Sequence, residues 1–246
     1  DISGTEPIPN AHIGIVVFFD ASRNTIGGDT AGQRNVVNGS DFGVYVHEAD
    51  HNTILGNYIG TDATGTIGIG NRCGVSFSRG ASYNAVGGSG AGEGNLISGN
   101  HRDGISLSED AHHNLVQGNL IGTDASGSDA MGNGGHGVSL WDGARHNQIG
   151  GNSHGEGNVI SSNGAELQWG NGVYLLSGAA YNSVLGNRIG TDKNGQAAIG
   201  QGQDGVVVRL GASENQVGDG NTAGRNLISG NALDGVRITD SDTMSN

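Results

Sequence analysis

The sequence predicts an all-β fold, a parallel solenoid of about seven coils with three short strands each. Three features of the 246 residues carry that prediction: 49 glycines against two prolines, a Gly-apolar phrase that returns every 29 to 35 residues, and an Ala-x-x-Asn phrase locked to it. Glycine at roughly three times its usual ~7% implies either disorder or a turn at fixed intervals. Val, Ile and Leu recur regularly from Ile13 to Ile238, which a solvated linker has no reason to do, so the glycines mark turns.

Each coil opens on a glycine followed by an apolar alternation, at Gly14, Gly43, Gly74, Gly104, Gly137, Gly172, Gly205 and Gly235. This first strand reads G-[VI]-x-apolar, as in GVSL at 137–140, and places Val75, Ile105, Val138, Val173 and Val206 in one inward ladder. Phe77, Leu107, Leu140, Leu175 and Val208 form a second. The Ala-x-x-Asn element follows in seven of seven complete coils, from Ala21/Asn24 to Ala212/Asn215. Its Asn is expected to turn inward and stack on its neighbours, satisfying backbone groups that the turn leaves unpaired. The second and third strands both read N-x-[IV], as in NQI at 147–149 and NVI at 158–160. Strands this short bury nothing alone and must stack on equivalents in neighbouring coils.

The coils alternate in where they carry an extra loop. In one form a Gly-rich loop (GGDTAGQRN, GGSGAGEGN, GGNSHGEGN, GDGNTAGRN) separates the second and third strands; in the other these strands nearly touch and the insertion follows the third. The second form explains IGTDxxG at 59–65, 121–127 and 189–195, the third strand plus the first turn of the insertion. Asp62, Asp124 and Asp192 are natural turn formers. Two coils separate each pair, about 9.6 Å at ~4.8 Å per strand, too far to share one cation. A separate calcium in each loop is the alternative to the turn role.

Composition excludes several classes. The formal charge is −13, with a single Lys, which argues against nucleic acid and against an anionic membrane surface. No stretch approaches the ~20 apolar residues of a membrane span, so membrane insertion is not expected. The one cysteine, Cys73, excludes an internal disulfide framework and a Cys-based zinc site.

Outward positions that break the repeat are where function sits on a solenoid. The residue before each Asn of the second strand runs Arg23, His51, Tyr83, His113, His146, Tyr181, Glu214, placing a ring on five consecutive coils. Stacked rings suit a solenoid edge for structural reasons; the alternative is a flat platform for sugar rings. Nearby, the first strand projects Tyr45, His47 and Glu48, then Glu109 and Asp110, then Trp141 and Asp142, then Tyr174, beside His112 and Arg145. The segment Ala165-Glu166-Leu167-Gln168-Trp169 lengthens one coil near this surface.

These alternating coils resemble the right-handed, single-stranded parallel β-helix of the pectin-lyase-like superfamily, in particular the "N-x-I-x-G-N-x-I-G-T-D" arrays of secreted bacterial surface proteins. The resemblance covers essentially the whole chain, 1–246, read as a single domain cut from a longer array, since Ile2-Ser3-Gly4 matches the third-strand phrase LISGN. It implies a secreted or cell-surface location, a polysaccharide partner, further β-helix coils of the same protein, and calcium as the cofactor if there is one. Polygalacturonase motifs carry over poorly: Gly135-His136-Gly137 is present, Arg237-Ile238-Thr239 is a partial echo, and the paired acids are missing. Gly151-Asn152-Ser153-His154-Gly155 matches the esterase pattern but lies in a repeated loop.

Two classes of function follow. In the first, the protein acts on or binds a polysaccharide as a lyase, epimerase or glycoside hydrolase, with His113 or His146 as base, Arg145 as the cationic partner and Asp110 and Asp142 beside them. Tyr45, His51, Tyr83, Trp141, Tyr174 and Tyr181 would then bind substrate. In the second, it is a non-catalytic structural or adhesive segment of a larger surface protein.

Overall fold

The computed structural model describes residues 10, 12–166 and 168–246. The Ile2-Ser3-Gly4 phrase and Leu167 lie outside them. Three parallel sheets run the length of the solenoid, and one strand from each makes a coil. Sheet A holds the first strands, Ile13–Phe18, Phe42–His47, Cys73–Ser78, Ile105–Leu107, Val138–Leu140, Val173–Leu175, Val206–Val208 and Val236–Ile238, each paired in register with the next. Sheet B holds seven strands, from Thr25–Gly27 to Gln216–Val217, and sheet C seven, from Val36–Val37 to Leu227–Ile228. A single 3-10 turn, Ala31–Gln33, is the only helical element among the described residues.

The inward ladders fall where the alternation places them. Val75, Ile105, Val138, Val173 and Val206 are fully buried, as are Phe77, Leu107, Leu140, Leu175 and Val208. Sheets B and C face them with Ile54, Val86, Val116, Ile149 and Val184, and with Ile59, Ile97, Ile121, Ile160 and Ile189. Each such side chain, fully buried, stabilises the coil by about 1.5–3 kcal/mol. The opening glycine is required by space: a Cβ on Gly137 would stand 2.5 Å from Ile160 Cγ2 and 2.7 Å from the Gly172 carbonyl.

Asparagine ladders seal the corners. Asn147 Oδ1 accepts from both Asn114 N–H (2.9 Å) and Asn114 Nδ2 (3.0 Å), and Asn147 Nδ2 donates to the Ala111 carbonyl and Asn182 Oδ1. The same pattern joins Asn52, Asn84, Asn114, Asn147, Asn182 and Asn215. A second ladder opens sheet C, from Asn35 through Asn57, Asn95, Asn119, Asn158 and Asn187 to Asn226. A third, after sheet C, runs Asn71, Asn100, Asn133, Asn163 and Gln201. The polar corners thus bury their amides in pairs, as buried polar groups must.

The loops differ from the sequence expectation in one respect. Although their host coils stand two apart, the IGTDxxG loops touch: Ala125 N–H donates to the Gly65 carbonyl (2.9 Å) and Lys193 N–H to the Gly127 carbonyl (2.8 Å). The intervening coil lacks that insertion, so the loops bend across the gap and build a stack of their own. Within each loop the Asp is a turn residue. Asp124 Oδ1 accepts from the Ser128 and Asp129 amides, both at 3.1 Å, and Ser126 Oγ donates to it at 2.8 Å.

Candidate functional site

The outer face of sheet A carries a trough that follows from side-chain length. In register, the outward column reads Tyr45, Ser76, Ser106, Ser139, Tyr174, so three short hydroxyl residues lie between two tall aromatic ones. A neighbouring column pairs His47 with Ser78, and Ser108 and Trp141 follow the next two strands. The result is a depression of about 290 Å³ whose floor is Ser76, Ser78, Ser106 and Ser108. Trp141 leans back over this floor and donates its indole N–H to Ser106 Oγ (3.1 Å). At the other end Phe42 stacks on Tyr45 with ring centroids 4.9 Å apart. Tyr45 Oη, Ser78 Oγ and His47 Nδ1 form a closed triangle with sides of 2.8, 2.9 and 3.0 Å.

Charge around the trough is uneven. Arg72 and Arg102, both exposed, line its rim and form no ion pair among the described residues. Asp103 is occupied, accepting from the His136 amide (2.9 Å) and Ser139 Oγ (2.7 Å). Glu109 is matched by Arg79 at 3.5 Å. In a chain of charge −13, this rim holds two guanidinium groups without an ion pair beside the Asp103 carboxylate.

The corner between sheets A and B holds the other candidates. His51, Tyr83, His113, His146 and Tyr181 stack in a single row, with successive centroids 5.1, 4.9, 4.9 and 5.1 Å apart and planes within 23° of parallel. Their backbones, with those of Arg23 and Glu214 in the same slot, are all left-handed, at φ between 54° and 57°. The faces of the inner rings cover each other, so the row does not offer solvent the flat platform considered from the sequence; it offers ring edges. His113 Nδ1 lies within hydrogen-bond distance of His112 Nδ1, at 2.9 Å. Burial holds the His112 imidazolium below its ordinary range, and the Arg145 and His113 charges push the same way. Arg145 is drawn onto Asp110 and the Gly143 carbonyl. Asp142 sits exposed in the left-handed turn before Ala144, at φ 52°. The structure therefore gathers Asp110, Arg145, His113 and His146 at one corner, and Tyr45, Trp141 and Tyr174 on the adjoining face.

His136 belongs to a further ladder. Its Nδ1 accepts from the Asn171 amide (3.1 Å), as Asp103 Oδ1 accepts from the His136 amide, Asn171 Oδ1 from the Asp204 amide and Asp204 Oδ1 from the Asp234 amide. Buried to 7% exposure, with Tyr174 4.3 Å and Trp169 5.1 Å away between centroids, it is held neutral, and burial depresses its pKa. Ser153 lies in an exposed loop with no elbow beneath it. A hollow of about 700 Å³ lies beyond sheet C, lined in part by Gly68, Gly99, Gly132 and Gly134, with His101 and Glu166 its ionisable groups.

The loop aspartates are held by their own loops. Each carboxylate is already turned into its own loop, Asp62 by the Thr66 and Ile67 amides and Thr64 Oγ1, and Asp192 by the Gln196 and Ala197 amides and Asn194 Nδ2. No group of three or more His, Cys, Asp or Glu side chains converges on a common point among the described residues.

No protein-family model and no curated protein matches the sequence. Among solved structures, the A-module of the mannuronan C-5 epimerase AlgE4 of Azotobacter vinelandii matches with a TM-score of 0.53 at 17% identity, covering 96% of this chain and 56% of that one. The chain is a right-handed parallel β-helix. A point mutant of the periplasmic alginate epimerase AlgG is also similar, at a TM-score of 0.49 and 16% identity, over 91% of this β-helix and 44% of that chain. The β-helix described here thus spans about half the length of each. No helix among the described residues is long and apolar enough to cross a membrane.

The sequence points to Tyr45, Trp141 and Tyr174 but not to the serine floor between them. Serine is unremarkable singly, and the floor emerges only once the strands carrying Ser76 and Ser78 and those carrying Ser106 and Ser108 are known to pair in register. Arg72 and Arg102 stand two residues before the glycines of their coils and were visible only as scattered cations.

Proposed function

We propose that this protein binds an acidic polysaccharide in the trough on sheet A and carries out proton transfer on it, as a lyase or epimerase does, outside the cell. The observation that carries this reading is the pairing of two unmatched arginines with a hydroxyl floor closed by aromatic walls. Arg72 and Arg102 supply a carboxylate-binding edge, and neutralising a uronate carboxylate acidifies the neighbouring C–H. Tyr45 Oη would take that proton as its own passes to Ser78 Oγ and the serine's to His47 Nδ1. For a lyase the 4-linked oxygen then leaves, taking up a proton returned through the relay; for an epimerase a proton from solvent adds to the opposite face and the relay gives its own proton to solvent. The similar solved structure of a mannuronan epimerase module supports a polysaccharide as the ligand class.

The test is turnover on pectate, alginate, polygalacturonate, hyaluronan and neutral glucans, read by unsaturated-uronate absorbance and by sugar configuration, with calcium and with chelator. Activity abolished in Tyr45→Phe and in His47→Ala, with an unchanged thermal transition, supports the trough. Activity that survives there and is lost in His146→Ala and Arg145→Ala assigns the chemistry to the corner instead. One observation favours the non-catalytic reading: Arg79 and Arg145 are already paired, with Glu109 and Asp110 of neighbouring coils. Silence on every substrate with an intact fold would favour a structural or adhesive segment over an enzyme.

A further inference from the structure

We infer that the corner row of rings is a second polysaccharide-binding strip, separate from the trough, in which an extended 1,4-diequatorially linked glycan lies parallel to the solenoid axis with one sugar unit per coil. The inference rests on the reading of the protein as a polysaccharide binder, and it changes how these rings act. Tyr83, His113 and His146 each have a ring on both faces, at 4.9 to 5.1 Å, so no sugar can stack on them. Solvent meets their edges, which carry phenol hydroxyls and ring nitrogens.

Each of those edges keeps a group free to bind, although His51 Nδ1 already faces Asp50 Oδ2 at 3.4 Å. Tyr83 and Tyr181 are 51% and 55% exposed, and neither hydroxyl has a hydrogen-bond partner within the described residues, nor has the imidazole of His146. His113 uses only Nδ1, toward His112. The left-handed backbone repeated at each position aims the side chains alike, and their ring centroids repeat every 4.9 to 5.1 Å. That repeat is close to the length of one pyranose in an extended, diequatorially linked chain. A glycan in this register would meet a hydrogen-bonding edge at every unit, five in succession, between Arg23 at one end of the slot series and Glu214 at the other. A chain with diaxial linkages advances by a shorter step and would lose the register within a few units.

Calorimetric titration of the whole chain with cello-oligosaccharides and cellouronate oligomers of two to eight units, beside oligogalacturonates, tests this. The expected result is an affinity that rises with length to about five units and then levels, in the neutral series, the acidic series or both, and stays flat for the diaxial galacturonates. Tyr83→Phe with Tyr181→Phe keeps the stack and removes two edge hydroxyls, and should weaken the five-unit ligand about tenfold. Length-independent binding, or binding unchanged in that double variant, overturns the strip. Binding lost in Trp141→Ala but not in the double variant puts the ligand in the trough, which overturns the strip and leaves the trough reading standing. No binding to any series overturns the strip as well, and the trough reading is then decided by its own turnover assay.

Discussion

His136 shows how one side chain can look catalytic in sequence and be fixed by its neighbours in space. Its Nδ1 is an obligate acceptor for the Asn171 amide, so protonation breaks that bond, and burial already disfavours the charge. A histidine whose folded pKa lies below its unfolded value near 6.5 contributes stability that is whole above that value and falls as pH drops toward the folded pKa. Thermal transitions should therefore decline below about pH 6.5, and His136→Gln, which keeps an acceptor but does not titrate, should flatten part of the decline; an unchanged pH profile would contradict the ladder role. The ring row is testable at the same scale. His113 sits at φ 55°, a conformation costing about 1–2 kcal/mol for a residue with a Cβ. His113→Ala loses the stacking and keeps the strain, whereas His113→Gly loses the stacking and relieves it, so denaturant midpoints should rank glycine above alanine.

The ladder before sheet B was legible as an element, because its Asn recurs at a fixed offset from Ala; those opening and following sheet C were not, because insertions of varying length hide their period. The Asn147 side chain makes four hydrogen bonds at 1% exposure. Asn147→Ala strands buried donors and should cost about 4 kcal/mol, roughly 10 °C in the melting temperature of a chain this size; an unaltered transition would refute the ladder. The loop stacks were not legible, since sequence separation alone counts coils and cannot show that loops lean across a gap. Their aspartates titrate low. For Asp192 the Ala197 and Gln196 amides lower the pKa; for Asp124 burial opposes, and the Asp129 amide and Ser126 hydroxyl outweigh it. Depressed carboxylates stabilise the fold above their unfolded value and lose that contribution as pH falls through the folded one. Asp124→Asn should therefore lower stability at neutral pH and narrow its difference from the parent below about pH 3.8, measured by denaturant midpoints across pH.

Across the whole molecule, a uniform core supports an uneven surface. Inward positions repeat because stacking demands it, while sheet A is free to step from tall to short and back along its outer face, and the trough is that step. Its position between coils is a property of register, which the period of the sequence supplies; its depth depends on which outward residues pair, which only the fold reveals. Both tryptophans, Trp141 and Trp169, lie at this face or beside it, so Trp169→Phe leaves Trp141 as the sole reporter at the trough. The decisive measurement is Trp141 fluorescence in that variant during titration with polymannuronate, polygalacturonate, hyaluronan and a neutral glucan. The trough account predicts a saturable change with at least one acidic chain, lost in Arg72→Ala with Arg102→Ala and absent with the neutral glucan. A flat signal for every acidic chain, in a protein that melts normally, would contradict it.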